Sequence, residues 1–334
     1  MGGPRNAPRI AAIVGVKDEV ELIGASIKHL RQIGVDHIIV ADAGSTDGTL
    51  DVLEDERRAG GVLVAHVDPA TVVDYDTESA HTMALARESG ADWVLFMDAD
   101  EFFIPATGSL KDCRHLRDAD VIVADRFNVV VTPDHLLMPA ILAPRHYAHL
   151  SLFTRQVPDF RRYMDERPHA SFVTVRPGPK VMARPSVADA LAPGGHDVHA
   201  SGARRAVATD LIVAHVPFTT EDRFERKVAN IRKEVAMRPA YFAGGYAWHW
   251  RRWAEMTAPG ALEAEFARQI TDEPAIAGLR REGVLRSAAE LLAERAPVPV
   301  AAQAVSLRSR LWHELQVLGE WARHPQHPRL RPVH

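Results

Sequence analysis

The feature that most constrains this chain is the alternation of buried-strand and amphipathic-helix patterns over its first hundred residues. Ile10 to Val16 is an unbroken run of apolar or small residues. Such a run marks a strand covered on both faces in a parallel sheet. Val20, Ile23, Ile27 and Leu30 follow at helical spacing, so one helix face packs on that sheet. Gly34 ends the helix. His37–Ala41 reads as the second strand, Leu50 and Leu53 as the next helix, and Val62–Val67 as a third strand. Thr77–Ser89 reads as a helix and Trp93–Met97 as a fourth strand. This order predicts a doubly wound, mostly parallel sheet. Ligands of such sheets bind beyond the carboxyl ends of the strands, where the strand order reverses.

The remainder is less regular. Val121–Ala124, Phe127–Val131, Phe172–Val175 and Leu211–His215 read as strands, separated by loops in which proline recurs. Long irregular connections in a compact domain are usually functional. From Thr220 onward the pattern is helical. Phe224, Val228, Ile231 and Val235 share a face, and Leu262–Ile270, Ser287–Ala296 and Val305–Arg323 continue as helices. The tail His324–His334 reads as loose.

Composition excludes several classes. One cysteine, Cys113, rules out a disulfide framework and a thiolate zinc cluster. A formal net charge of −4 argues against a duplex nucleic-acid binder. The seventeen histidines mean that a bound metal would take imidazole nitrogen and carboxylate oxygen. No run approaches the roughly 20 apolar residues that span a bilayer, and the start makes a poor secretory signal. A soluble, cytoplasmic protein is expected.

Two loops carry chemistry. Trp93–Met97 ends abruptly in Asp98-Ala99-Asp100-Glu101. In extended geometry Asp98 and Asp100 point the same way, and two like charges side by side repel unless a cation lies between them. Hard divalent cations take such oxygen ligands. The plain alternative is an exposed acidic turn. The second loop is Asp42–Thr49, in which Ser45, Thr46 and Asp47 are helix-capping types. Asp42 stands apart at the strand end, where its carboxylate could accept an N–H from a nucleobase.

Taken together, Ile13–Glu19, Ile38–Thr49 and Asp92–Phe102 resemble the glycosyltransferase family 2 type of GT-A fold. The subgroup with a Lys-Asn/Asp-Glu start and an Asp-Ala-Asp-Glu-Phe end looks closest. The likeness is specific over 8–105, weaker over 170–235 and absent beyond. Many members carry Asp-Asp where this chain has Asp42-Ala43. The resemblance implies a Rossmann-like α/β catalytic domain over 1–219 and a C-terminal helical extension over 220–334. It implies a metal-dependent transfer of a sugar from a nucleotide-diphosphate sugar to an acceptor hydroxyl, with inversion. Val16, Lys17, Glu19, Asp42, Glu78, Asp98, Ala99 and Lys227 would contact the nucleotide sugar, with Asp42 on the base. Asp98 and Asp100 would meet Mn2+ or Mg2+, and His196 or His215 would complete the metal shell. Arg223 and Lys227 share a helix edge and could meet the diphosphate. Asp165, Glu166 and Asp197 lie where the base that deprotonates the acceptor is expected.

Each assignment has a plainer alternative. His215 could be a core-edge histidine bonded to a carbonyl, and the acidic residues at 165, 166 and 197 could be surface charges. The aromatic stretch Tyr241–Trp253 suits packing or a dimer contact more than acceptor binding, since Trp250 and Trp253 fall at helical spacing. The C-terminal helices could pack on the catalytic domain, bind acceptor, or form a homo-oligomer. Two other functions compete. A sugar-1-phosphate nucleotidyltransferase would place a glycine-rich basic loop after the first strand, where this chain has Gly15-Val16-Lys17-Asp18-Glu19. A non-catalytic GT-A-like binding domain would not require the Asp98/Asp100 pair.

Overall fold

The computed structural model describes residues 7–67, 75–133, 149–239, 242 and 247–295. The expected helix Val305–Arg323, the tail, His146 and most of 241–246 lie outside the described residues.

The strands are β1 (Ile10–Val16), β2 (His37–Asp42), β3 (Val62–His66), β4 (Trp93–Asp98), β5 (Glu101–Pro105), β6 (Val121–Asn128), β7 (Ser151–Phe153), β8 (Lys180–Ala183), β9 (Ala190–Leu191), β10 (Val198–His199), β11 (Arg205–His215) and β12 (Leu285–Ser287). The α-helices are α1 (Ile23–Gln32), α2 (Thr49–Ala59), α3 (Tyr75–Glu88), α4 (Phe160–Asp165), α5 (Glu221–Met237), α6 (Trp248–Ala254), α7 (Ala261–Ala267), α8 (Glu273–Arg281) and α9 (Ala288–Arg295). Eight strands form one sheet in the order β3-β2-β1-β4-β8-β6-β11-β5. Pairs β1–β2, β1–β4, β2–β3 and β6–β11 are parallel, while β4–β8, β6–β8 and β5–β11 are antiparallel. The fold class is therefore the expected one, α/β with a mostly parallel sheet.

Strand alternation explains why both faces are covered. Ile10, Ala12 and Val14 pack with Ile23, Ile27 and Leu30 of α1 and Leu53 of α2. Ala11 and Ile13 point the other way, onto Met83 and Ala86 of α3. The C-terminal helices share a separate core in which Phe224, Trp253, Phe266 and Ile276 pack on Val130, Phe153 and Phe172.

The sheet must curl. Asp98 and Glu101 are three links apart, at most about 11 Å, yet β4 and β5 are four strand spacings apart in sheet order. Laid flat, those spacings would need roughly 19 Å. Curling brings the start of β5 back over the ends of β4, β6, β8 and β11. Asp98, Glu101, Arg126 and Lys180 then meet in one place, with His215 of β11 paired beside them to Asn128 of β6.

Three local expectations change. Phe172–Val175 is not a strand; Phe172–Thr174 is a 3-10 turn. Its first two N–H groups are taken by Gln269, whose Oε1 accepts from Phe172 N at 2.8 Å and from Val173 N at 3.4 Å. The two strands read over 121–131 are one strand ending at Asn128, followed by isolated bridges at Val129 and Val131. Asp98 and Asp100 do not point the same way, because the chain turns between β4 and β5 rather than staying extended. Asp98 is exposed and Asp100 is buried.

Candidate active site at the carboxyl edge of the sheet

The β1–α1 and β2–α2 loops are stitched together. Asp42 is buried, and its carboxylate accepts from Gly44 N at 3.0 Å and Ser45 N at 3.2 Å. Ser45 Oγ accepts from Asp18 N, Thr49 Oγ1 from Glu19 N, and Asp47 from Val20 N. The capping residues thus hold the neighbouring loop as well as their own helix, whose N-cap is Gly48. Lys17 Nζ closes the same seam on Gly44 O, and Ala43 N donates to Val16 O. Asp18 has a left-handed backbone, φ 54°, which costs a non-glycine residue. Its carboxylate accepts from Thr46 N and from Asn230 of α5, so one residue ties two loops to a helix.

Two neutral ion-pair chains lie beneath. In the first, Arg223 donates to both oxygens of Glu19, at 2.6 and 2.9 Å, to Asp100 Oδ2 at 3.0 Å, and to the carbonyls of Val216 and Pro217. All five N–H groups of this guanidinium have partners, and its side chain is 1% exposed. Arg223 therefore does not share a solvent edge with Lys227 and is not free to meet a diphosphate, contrary to the sequence expectation. Lys227 Nζ also reaches Asp100 Oδ2, at 2.9 Å, and remains 24% exposed. Burial alone would raise the Asp100 pKa, but Lys227, His215 and Arg223 hold it well below the usual range. Burial pushes Glu19 upward against the pull of Arg223.

In the second chain, Glu101 pairs with Arg126 and Lys180, and Lys180 Nζ reaches Asp98 Oδ2 at 3.0 Å. Burial pushes the Glu101 carboxyl up. Lys180 is fully buried. Burial alone would lower its pKa, yet Asp98 and Glu101 raise it. The Gly194 carbonyl takes its third hydrogen at 2.6 Å. Gly195 makes this possible: its φ is 65°, and a Cβ there would stand 3.4 Å from Phe96 Cβ. The glycines at 194–195 are thus a close-fitting turn rather than a flexible one. Ala99 is buried in the turn between the two acids, and Glu78 of α3 reaches Arg238 at 3.7 Å. Burial raises Glu78, and the Asp98 charge adds to that.

The histidines separate. His196 Nδ1 donates to Pro179 O at 2.8 Å, and burial lowers its pKa well below the ordinary value. His215 is also pushed down by burial, and its Nε2 lies 3.7 Å from Asp100 Oδ1. Asp100 Oδ1 has no hydrogen-bond donor among the described residues, since Arg223 and Lys227 both take Oδ2. One carboxylate oxygen facing one imidazole nitrogen is a donor set that fits a hard or borderline divalent cation. No group of three or more His, Cys, Asp or Glu converges among the described residues. Protein ligands alone would leave most of such an ion's shell to phosphate and water, as is usual for Mg2+. Asp98 and His196 do not join Asp100 and His215 in a single cluster.

The three acids expected to supply a base have local partners. Asp165 lies near Arg161, and Glu166 pairs with Arg162 and Arg167, all on the exposed surface of α4 and its end. Asp197 pairs with Arg205 and accepts from Val198 N. Sequence reasoning overlooked Arg126, Asn128 and Lys180. A charge or amide interrupting an apolar strand, as in Asp125-Arg126-Phe127-Asn128, was the available signal for two of them, because such groups are buried only when paired.

The family model for glycosyl transferase family 2 matches residues 11–124. No curated protein matches the sequence significantly. Among solved structures, glucosyl-3-phosphoglycerate synthase from Mycobacterium tuberculosis, with Mn2+, uridine diphosphate and glucosyl-3-phosphoglycerate, is 18% identical with a TM-score of 0.30. That match covers 57% of this chain and 62% of the synthase, under two thirds of its length. S. aureus TarS 1–349 with UDP-GlcNAc is 13% identical over 97% of this chain and 94% of that one, with a TM-score of 0.39. Likeness at this level carries no argument about what the present chain binds.

Proposed function

We propose that this protein is a nucleotide-sugar-dependent glycosyltransferase that uses a divalent cation and transfers the sugar to an acceptor hydroxyl with inversion. The observation that carries the reading is the charge arrangement at the carboxyl edge of the parallel strands, whose four carboxylates lie inside the segment that matches the family model while their cationic partners come from beyond it. Glu19, Asp98, Asp100 and Glu101 are balanced by Arg126, Lys180, Arg223 and Lys227. A nucleotide-diphosphate sugar brings two negative charges into this neutral site, and a divalent cation offsets them. Asp100 and His215 would hold that cation, which when bound supplies Lewis-acid stabilisation of the departing diphosphate.

The chain's own residues do the rest. Arg223 fixes Asp100, because it is locked by five hydrogen bonds and cannot rotate. Lys227, partly exposed beside Asp100, sets a positive charge at the cleft wall. Lys180 holds Asp98 with one oxygen, leaving the other for a sugar or ribose hydroxyl.

Isothermal titration with UDP- and GDP-sugars, with and without Mn2+, tests this reading. One donor should bind only when the metal is present, and its transfer product should show inverted anomeric configuration by NMR. If no nucleoside diphosphate or its sugar binds under any metal condition, the reading fails.

A further inference from the structure

We propose that Asn128 is a positioning residue for the divalent cation: it sets the tautomer of His215 so that a bare Nε2 lone pair, and not an N–H, faces Asp100. The cation comes from the glycosyltransferase reading above, while the tautomer of the uncharged ring follows from hydrogen bonding alone.

Asn128 and His215 are register partners on the parallel strands β6 and β11. The Asn128 side chain is fully buried. Its Nδ2 donates to Val173 O at 3.2 Å and to Val175 O at 2.9 Å. Carbonyl oxygens only accept, so both need the NH2 end of the amide, and the amide has one workable orientation. Oδ1 then points the other way, and it too can only accept. Its partner is His215 Nδ1 at 2.7 Å. That nitrogen must therefore carry the hydrogen. A neutral imidazole has a single N–H, so Nε2 is left as a lone pair.

Across from Nε2, at 3.7 Å, stands Asp100 Oδ1, a second acceptor. Two acceptors facing each other repel unless something positive lies between them. Ligand atoms that share one Mg2+ at about 2.1 Å each are at most about 4.2 Å apart, so a single ion can reach both. The support extends further out. The carbonyls that orient Asn128 belong to the Phe172–Thr174 turn and the residue after it. That turn is held by Gln269, which is itself fully buried. A metal-ligating histidine whose second nitrogen is tied in this way has its ring direction and its donor atom chosen in advance.

The test uses the full chain. Nitrogen NMR of isotope-labelled histidine, with His215 assigned by comparison with His215→Gln, should show Nδ1 protonated and Nε2 bare before metal is added. Mn2+ affinity is then read from the paramagnetic resonance of free Mn2+ in the presence of UDP or GDP. Asn128→Leu should weaken it about 10- to 100-fold. Asn128→Asp keeps an acceptor for Nδ1–H but loses the donors to Val173 O and Val175 O, so it should recover only part of the loss. A protonated Nε2 in the wild-type protein overturns the proposal. So does wild-type Mn2+ affinity in Asn128→Leu when His215→Gln is weakened. If Asn128→Leu does not fold, the histidine spectrum of Asn128→Asp decides instead: a His215 Nδ1 left bare with an acceptor beside it overturns the proposal. Failure of the glycosyltransferase reading looks different: no sugar nucleotide binds, while the histidine spectrum is as expected.

Discussion

Asp100 shows how strongly one side chain can be committed. It is the only carboxylate shared by Arg223 and Lys227 in its ion-pair chain, and it has next to no exposure. Replacing it with Ala leaves Arg223 buried with half its anionic partners gone. Breaking a buried pair from one side costs about 3–5 kcal/mol. Asp100→Ala should therefore lose roughly that much in denaturant-unfolding free energy, in addition to Mn2+ binding. A change below about 1 kcal/mol would show that the pair is better solvated than its burial indicates. His29 makes a second case at this scale. Its ring is buried, Nε2 donates to Phe103 O at 2.6 Å, and desolvation brings its pKa down to about 4 from 6.5. With the folded value depressed, the unfolded chain binds the proton first as pH falls. The contribution is whole above pH 6.5 and is lost progressively down to pH 4, about 3 kcal/mol in all. His29→Gln keeps an N–H donor without titrating, so its unfolding free energy should fall less steeply than wild type across that window. Parallel curves would refute the assignment.

At the scale of elements, what could be read in advance depended on how each one is covered. The parallel strands β1, β2 and β4 were legible because strands buried on both faces read as continuous apolar runs. Helix α5 was legible because Phe224, Val228 and Ile231 keep a helical period, and all three are buried. Strands β5 and β8 were not legible. Each is short, and each carries its decisive residue, Glu101 or Lys180, as a buried charge at its first position. No periodicity announces such a group; only the curl of the sheet supplies its partners. The same curl explains why the direction of Asp98 is not the one an extended strand would give: the chain turns between β4 and β5. Helix α5 also supplies a prediction. Its N-cap, Thr220, accepts from Arg223 N at 3.2 Å and donates to Glu21. Thr220→Ala should cost about 1 kcal/mol by chemical denaturation. Thr220→Ser, which keeps the oxygen, should recover most of it; equal losses would assign the effect to packing of the methyl group instead.

Across the whole molecule, the proposed function has a consequence in charge: in a site this close to neutral, metal and nucleotide binding would be mutually dependent. A diphosphate entering alone would add about two uncompensated negative charges beside Asp98 and Glu78. A divalent cation entering alone would meet two protein ligands, with Arg223 and Lys227 close by. Entering together, the two cancel, so each should raise the other's affinity, and linkage requires the factor to be the same in both directions. Ligands that bind only the folded state stabilise it by RT ln(1 + [L]/Kd), about 2.7 kcal/mol at a hundredfold excess over Kd. Thermal unfolding should therefore shift little with Mn2+ alone or with a UDP- or GDP-sugar alone. With the two together the shift should clearly exceed the sum of the separate shifts, and EDTA should abolish the excess. In Lys227→Ala the nucleotide shift should fall further than the Mn2+ shift, because the residue removed is the cation left partly exposed at the cleft. Strictly additive shifts in the wild-type protein would mean that the two ligands occupy independent places, and the shared site built on Asp100 and His215 would have to be abandoned.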